Sequence, residues 1–324
     1  MNRRFTRVNI HTPKNTLVKR REVDLMKNQT IGVEIEMTGI TRETAANVIS
    51  AHLDGSVERT YDGYDTYKIT APDRRIWKVM SDASIYTKRK VNGALVNADK
   101  TYSVELVTPI LNYDTDIETL QELIRQLRKA GAISGSGLKC GIHIHIGADK
   151  HTPNTLKNLV NLMAAKENLI YKSLEIDPAR MSFCQKVNEQ LIETINKQKP
   201  NTLTALADIW YAGYSELRSR HCHSSRYHGL NLHSVFTKGT IEFRLFNGAM
   251  HAGKIRSYIV FSLAVSHQAL IQKTASAKRA DTDNEKYTFR CWLLRLGLIG
   301  DEFKNCREHL MAPLTGNSAW RHAA

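Results

Sequence analysis

The sequence predicts an α+β fold with a largely antiparallel sheet, and three observations carry that expectation. Residues 31–37, 141–147 and 240–246 alternate with period two, as strands with one polar and one apolar face do. Helical periodicities lie between them without the regular spacing of parallel crossovers. Turn signals at Asn92-Gly93 and over residues 236–239 suit antiparallel hairpins.

Taken in order, a polar basic arm over residues 1–30 precedes a strand at 31–38. The next helix places Ala45, Val48, Ile49 and Leu53 on one face, with Thr41 as its N-cap. Residues 56–80 read as short strands with a turn at Asp62-Gly63, and residues 81–97 as loop and hairpin. A strand at 102–107 ends at Thr108-Pro109; the helix after it lines up Ile117, Leu120, Ile124 and Leu127 and stops at Gly131. Behind the strand at 141–147, Thr152-Pro153 is an N-cap and first-turn pair opening a helix to about residue 174. Helices are predicted over 185–197 and 203–217, an antiparallel hairpin from 228–235 and 240–246, and a long helix over 253–273. From Thr274 a polar linker leads to short helices, so the expected division is an arm (1–30), a main domain (31–273) and a small helical cap (274–324).

Bulk properties exclude several classes. With 324 residues, 42% hydrophobic and 24% charged, the chain reads as ordinary globular protein. Its longest apolar run, residues 258–265, is far below the roughly 20 residues of a membrane span, and the basic N-terminal stretch lacks the apolar core of a secretory signal. Five scattered cysteines without a CxxC pair read as reduced thiols, and the expected location is cytoplasmic. The formal charge of +14 suggests an anionic partner. Nucleic acid is possible on that ground but not favoured, because no aromatic residues interleave the basic clusters.

The alternating segments carry the chemistry. Glu34 and Glu36 share one strand face, His143 and His145 another, Glu242 and Arg244 a third. Each pair alone reads as a solvated or hydrogen-bonded strand face. If the three segments share a sheet, their coincidence gathers acids, imidazoles and an arginine, an inventory suited to Mg²⁺ or Mn²⁺ and substrate phosphates. Glu105, an acid inside an apolar strand, is a further ligand candidate. Asp82 and Ser84 follow a strand in a loop, where substrate contacts concentrate, although a simple turn is the plainer reading. Arg226, Tyr227 and Asn231 are candidates for nucleotide or carboxylate contacts, whereas His221-Cys222-His223 has no structural-zinc spacing. The glycine-rich stretch 135–141 lacks the spacing of a phosphate loop and reads as a turn feeding the HxH strand.

In this order, the segments around Gly32-Val33-Glu34-Ile35-Glu36, Asp82-Ala83-Ser84, Glu105 to Pro109, Cys140 to Gly147, Arg226 to Leu232 and Thr240 to Gly248 resemble the amidoligases of the glutamine synthetase and glutamate-cysteine ligase superfamily. The resemblance implies a curved antiparallel sheet forming a funnel, flanked by helices, in a glutamine synthetase-like catalytic domain over 31–273. It implies an ATP-dependent ligase that joins a small-molecule or peptide carboxylate to an amine through an acyl phosphate. Glu34, Glu36, Glu105, His143 and Glu242 would bind Mg²⁺, with Mn²⁺ as an alternative. His145 would lie near the ATP phosphates, and Asp82, Ser84, Arg226, Tyr227 and Asn231 would line the nucleotide or substrate side. Arg244, with Glu36 and Glu242, would carry the catalysis. Ala83 stands where the family often has glycine. Three alternatives remain open: a phosphotransferase of the same fold, a cupin-like metalloenzyme and a non-catalytic nucleic-acid-binding protein.

Overall fold

The structure, a computed structural model, describes residues 22–279 and 281–320, so most of the predicted basic arm lies outside the described residues. The strands are β1 (Ile31–Met37), β2 (Ser56–Arg59), β3 (Tyr67–Thr70), β4 (Ile76–Met80), β5 (Lys88–Val91), β6 (Ala94–Asn97), β7 (Val104–Val107), β8 (Gly141–Gly147), β9 (Leu230–Asn231) and β10 (Thr240–Asn247). Eight of them form one sheet in the order β2-β3-β4-β7-β1-β8-β10-β9, antiparallel throughout, while β5 and β6 make a separate hairpin. The sheet is open, with β2 and β9 at its edges. That architecture, with its flanking helices, removes the cupin barrel.

The main helices are α1 (Arg42–Leu53), α2 (Tyr113–Lys129), α3 (Pro153–Ser173), α4 (Glu189–Gln198), α5 (Leu203–Trp210), α6 (His233–Lys238), α7 (Ala252–Ile271), α8 (Glu285–Arg295) and α9 (Lys304–Met311). Their starts are chemically determined. Thr41 accepts the Thr44 amide hydrogen, and Thr152 makes a reciprocal capping box with Thr155. α7 packs on β8 and is flanked by α2, α3 and α9, so the apolar strand face is covered by helices. Val33, Ile35, Ile142, Ile144, Ile146, Ile241 and Phe243 are all buried there. Met26 joins this core, and Gln29 donates to the Leu263 carbonyl on α7 at 2.9 Å. Among the described residues no helix is long and apolar enough to cross a membrane.

Four expected boundaries are corrected. Residues 228–246 do not form a two-stranded hairpin: β9 is two residues long and α6 intervenes. Asn231 Oδ1 accepts the His233 amide hydrogen at 2.8 Å and turns the chain into that helix, which Gly239 ends at φ +70°. α5 stops at Trp210, because the chain reverses through Gly213 at φ +87°. α4 begins at Glu189, since Gln185 is held by backbone bonds to Tyr227 and Gly229 and Asn188 supplies the cap. β7 begins at Val104, after a 3₁₀ turn over Lys100–Tyr102 capped by Asp99.

Candidate active site

Strand register assembles the site. Glu34 stands opposite His143 on β8, Glu36 opposite Glu105 on β7, and Glu242 opposite both His145 on β8 and Asn231 on β9. Cross-strand partners project to the same face. One face of the four adjacent strands β7, β1, β8 and β10 therefore carries Glu34, Glu36, Glu105, His143, His145, Glu242 and Arg244, while alternation sends their apolar neighbours to the helical layer.

The contacts are close. His143 Nδ1 lies 3.0 Å from Glu34 Oε2, and His145 Nε2 lies 3.2 Å from Glu34 Oε1 without making a hydrogen bond. His145 Nδ1 is 3.0 Å from Thr240 Oγ1, which fixes the ring. Glu36 Oε2 accepts the Gly141 amide hydrogen at 2.6 Å. Arg244 donates to Glu242 Oε1, and Asn231 Nδ2 donates to Glu242 Oε2 at 2.7 Å. Arg244 is 6% exposed, yet its Nε has no hydrogen-bond partner among the described residues.

Electrostatics divides these groups. Burial opposes ionisation of Glu34, but the His143 and His145 imidazoles outweigh it and hold the carboxyl well below its usual range. Burial is likewise overcome at Glu242, which Arg244 holds at about 2. Burial, then the Asp82 charge, pushes Glu36 up to about 7. Glu105 is raised well above the ordinary range by burial, then by Glu34 and Glu36. Burial and the adjacent Arg244 push His143 down to about 4, so it is neutral at pH 7 and donates from one ring nitrogen only.

These residues fit divalent cations. Ligand atoms fall within 4.8 Å of one another in three groups: Glu34, Glu105 and His143; Glu34, His145 and Glu242; Glu36, Asp82 and Glu105. Hard oxygen donors with a minority of imidazole suit Mg²⁺ or Mn²⁺. Buried carboxyls forced toward protonation by one another are what such an ion would relieve.

Of the residues singled out in the sequence, the register brings the acids, both histidines, Arg244 and Asn231 together. Asp82 falls among the ligand-capable carboxylates, where the sequence suggested a nucleotide contact. Ser84 offers its backbone amide to Asp82 Oδ1 at 2.6 Å. Half-buried Arg226 and Tyr227 stand apart: no hydrogen bond or ion pair joins them to the cluster among the described residues, and Arg226 donates to the His221 carbonyl at 3.2 Å.

Arg180 is the residue that sequence reasoning missed. β10 carries a bulge between Phe243 and Phe246, where the register against β8 shifts by one residue. The carbonyls freed there accept from buried Arg180: Phe246 O at 2.5 Å and Arg244 O at 3.2 Å. Arg180 thus holds the segment from which Arg244 projects. The only local signal was Gly141, where a Cβ would come within 2.3 Å of Arg180 Nη2.

A family model described as "Putative amidoligase enzyme" matches residues 27–266. No curated protein matches the chain. Among solved structures, a bifunctional glutathione synthetase from Pasteurella multocida is similar at 12% identity and a TM-score of 0.38. That match covers 91% of this chain and 48% of the other, so the chain spans about half its length.

Proposed function

The chain belongs to the amidoligase family, and from that premise we propose that it is a carboxylate-amine ligase using ATP and Mg²⁺, or Mn²⁺, on a small-molecule or peptide carboxylate and an amine. The observation that carries this reading is the convergence of four buried or half-buried acids, two imidazoles and one arginine on a single sheet face, joined by Asp82 from the loop after β4. Residues 31–273 would be the catalytic domain, with the arm and the C-terminal helices as additions, and the sheet would be the wall of a glutamine synthetase-like funnel.

Glu34, Glu36, Glu105, His143 and Glu242 would hold the cations, with Asp82 and His145 as further donors. When bound, the cations screen phosphate charge and align phosphoryl transfer. A substrate carboxylate oxygen attacks the γ-phosphorus of ATP and ADP leaves, giving an acyl phosphate. The amine nitrogen then attacks the acyl carbon, the C–O bond to phosphate breaks, and amide, phosphate and a proton are released. Arg244, fixed by Glu242 and keeping a free Nε–H, offers a donor to the oxygens of the transferring group. Neutral His143, donating from Nδ1 to Glu34, leaves its Nε2 lone pair free. Asp82, Ser84, Arg226, Tyr227 and Asn231 would line the nucleotide or substrate side.

The test is ADP release together with intact-mass detection of product, with Mg·ATP and a panel of acids, amines and peptides. Equal yields of ADP and amide are expected. Arg244→Ala and Glu36→Ala should lower turnover by about 10²- to 10³-fold with the circular dichroism spectrum retained. Turnover that survives EDTA overturns the reading; ADP with a phosphorylated acid and no amide assigns a phosphotransferase instead.

A further inference from the structure

The sheet-face site is lined mainly by acids, so the net charge of +14 is not explained by it. A concentrated part of that charge lies in the helical layer. There the end of α2, the start of α7 and α9 bound a cleft of about 700 Å³. Arg125, Arg128 and Lys129 on α2, His251 and Arg256 at the start of α7, and His309 on α9 line it against one carboxylate, Glu302.

Those cations are poorly neutralised. Glu302 is ion-paired with Lys27 at 2.5 Å, and Arg125 with Glu122 at 3.0 Å. Arg256 donates from Nε to the Tyr113 hydroxyl at 3.0 Å, and its two terminal nitrogens have no hydrogen-bond or ion-pair partner among the described residues. Arg128 and Lys129 have no ion-pair partner among the described residues. Residues 1–21, 280 and 321–324 contain no Asp or Glu.

The shape is specific as well. The His251 and His309 rings meet edge to face at 5.2 Å beside Gly253, where a Cβ would come within 3.1 Å of both rings. Glycine therefore keeps the first turn of α7 open beneath the imidazoles. Past Arg128 and His251 lies a pocket of about 350 Å³ that adds Lys90. Guanidinium, ammonium and imidazole groups around a cleft of small-molecule size suit phosphate oxygens. Among the described residues no Phe, Tyr or Trp side chain lines it to stack a base, which argues against a nucleic-acid track. We propose that this cleft binds a small anion carrying two or more phosphate groups, at a site separate from the sheet face.

Calorimetry of the full chain with inorganic tripolyphosphate in EDTA tests this. Binding is expected, and Arg128→Glu with Lys129→Glu should weaken it at least about tenfold. Arg256→Gln provides a second, single-site check with the same expected direction. Arg244→Ala should leave the affinity unchanged. The proposal is overturned if the wild type does not bind, if both cleft variants bind as the wild type does, or if binding is lost in Arg244→Ala. Oligonucleotide binding far tighter than tripolyphosphate, and lost in the cleft variants, would replace the small anion with nucleic acid.

Discussion

Adjacent residues on β8 show how differently the two faces of the sheet use burial. Ile144 is fully buried between His143 and His145, which are 5% and 8% exposed. Ile144 faces helices and gains from leaving water. The histidines face carboxylates, and there burial forces Glu36 and Glu105 toward protonation. The lesson is that strand pairing rigidly transmits stability from the apolar face to a polar face that opposes it. A site built this way keeps its ligands in place before any cation or phosphate arrives.

The largest expected effect falls on the apolar face. Phe243→Ala should cost about 3–5 kcal/mol in denaturant unfolding, because it empties a closed region between sheet and helices. A loss below about 1 kcal/mol would break the comparison at its root. A smaller effect is expected behind the site. Arg180→Met should cost about 2 kcal/mol by orphaning the carbonyls of the β10 bulge. As a positioning change it should lower kcat more than it raises KM, and an unchanged kcat would show that the bulge does not aim Arg244.

The smallest effect has the opposite sign. Glu105→Gln should stabilise the metal-free protein by about 1 kcal/mol while abolishing Mg²⁺-dependent ADP release. The Glu105 carboxyl is raised in the fold above its ordinary 4.5, so the folded chain retains a proton that the unfolded chain releases. The wild type therefore has its full stability from this group below about 4.5 and loses it as pH rises toward the folded value. Glutamine cannot ionise, so the gap in unfolding free energy should widen with pH in EDTA. A constant gap would mean that Glu105 is not electrostatically opposed.

Legibility followed the range of the interactions. β1 and β8 were readable because period-two alternation is local, and α3 because Thr152 and Pro153 announce it. The cluster of Glu34, Glu36, His143, His145, Glu242 and Arg244 followed from assuming that the strands neighbour one another, which their register bears out. The β10 bulge was hidden because Thr240 to Phe246 alternates as a regular strand would. What breaks the alternation is Arg180, more than 60 residues away in the chain. α6 was hidden in the same way: residues 233–238 read as a continuation of the hairpin, and only the pairing of Asn231 with β10 shows where the strand gives out.

Gly141 shows how little room this arrangement leaves. Its amide hydrogen serves Glu36, and Arg180 occupies the space where a side chain would begin. A single methyl group there would collide with the guanidinium that braces the β10 bulge and also disturb the amide bonded to Glu36. Strands β1, β8 and β10 are thus tuned through one missing carbon atom, and sequence drift at this position is closed by geometry before any chemistry is tested.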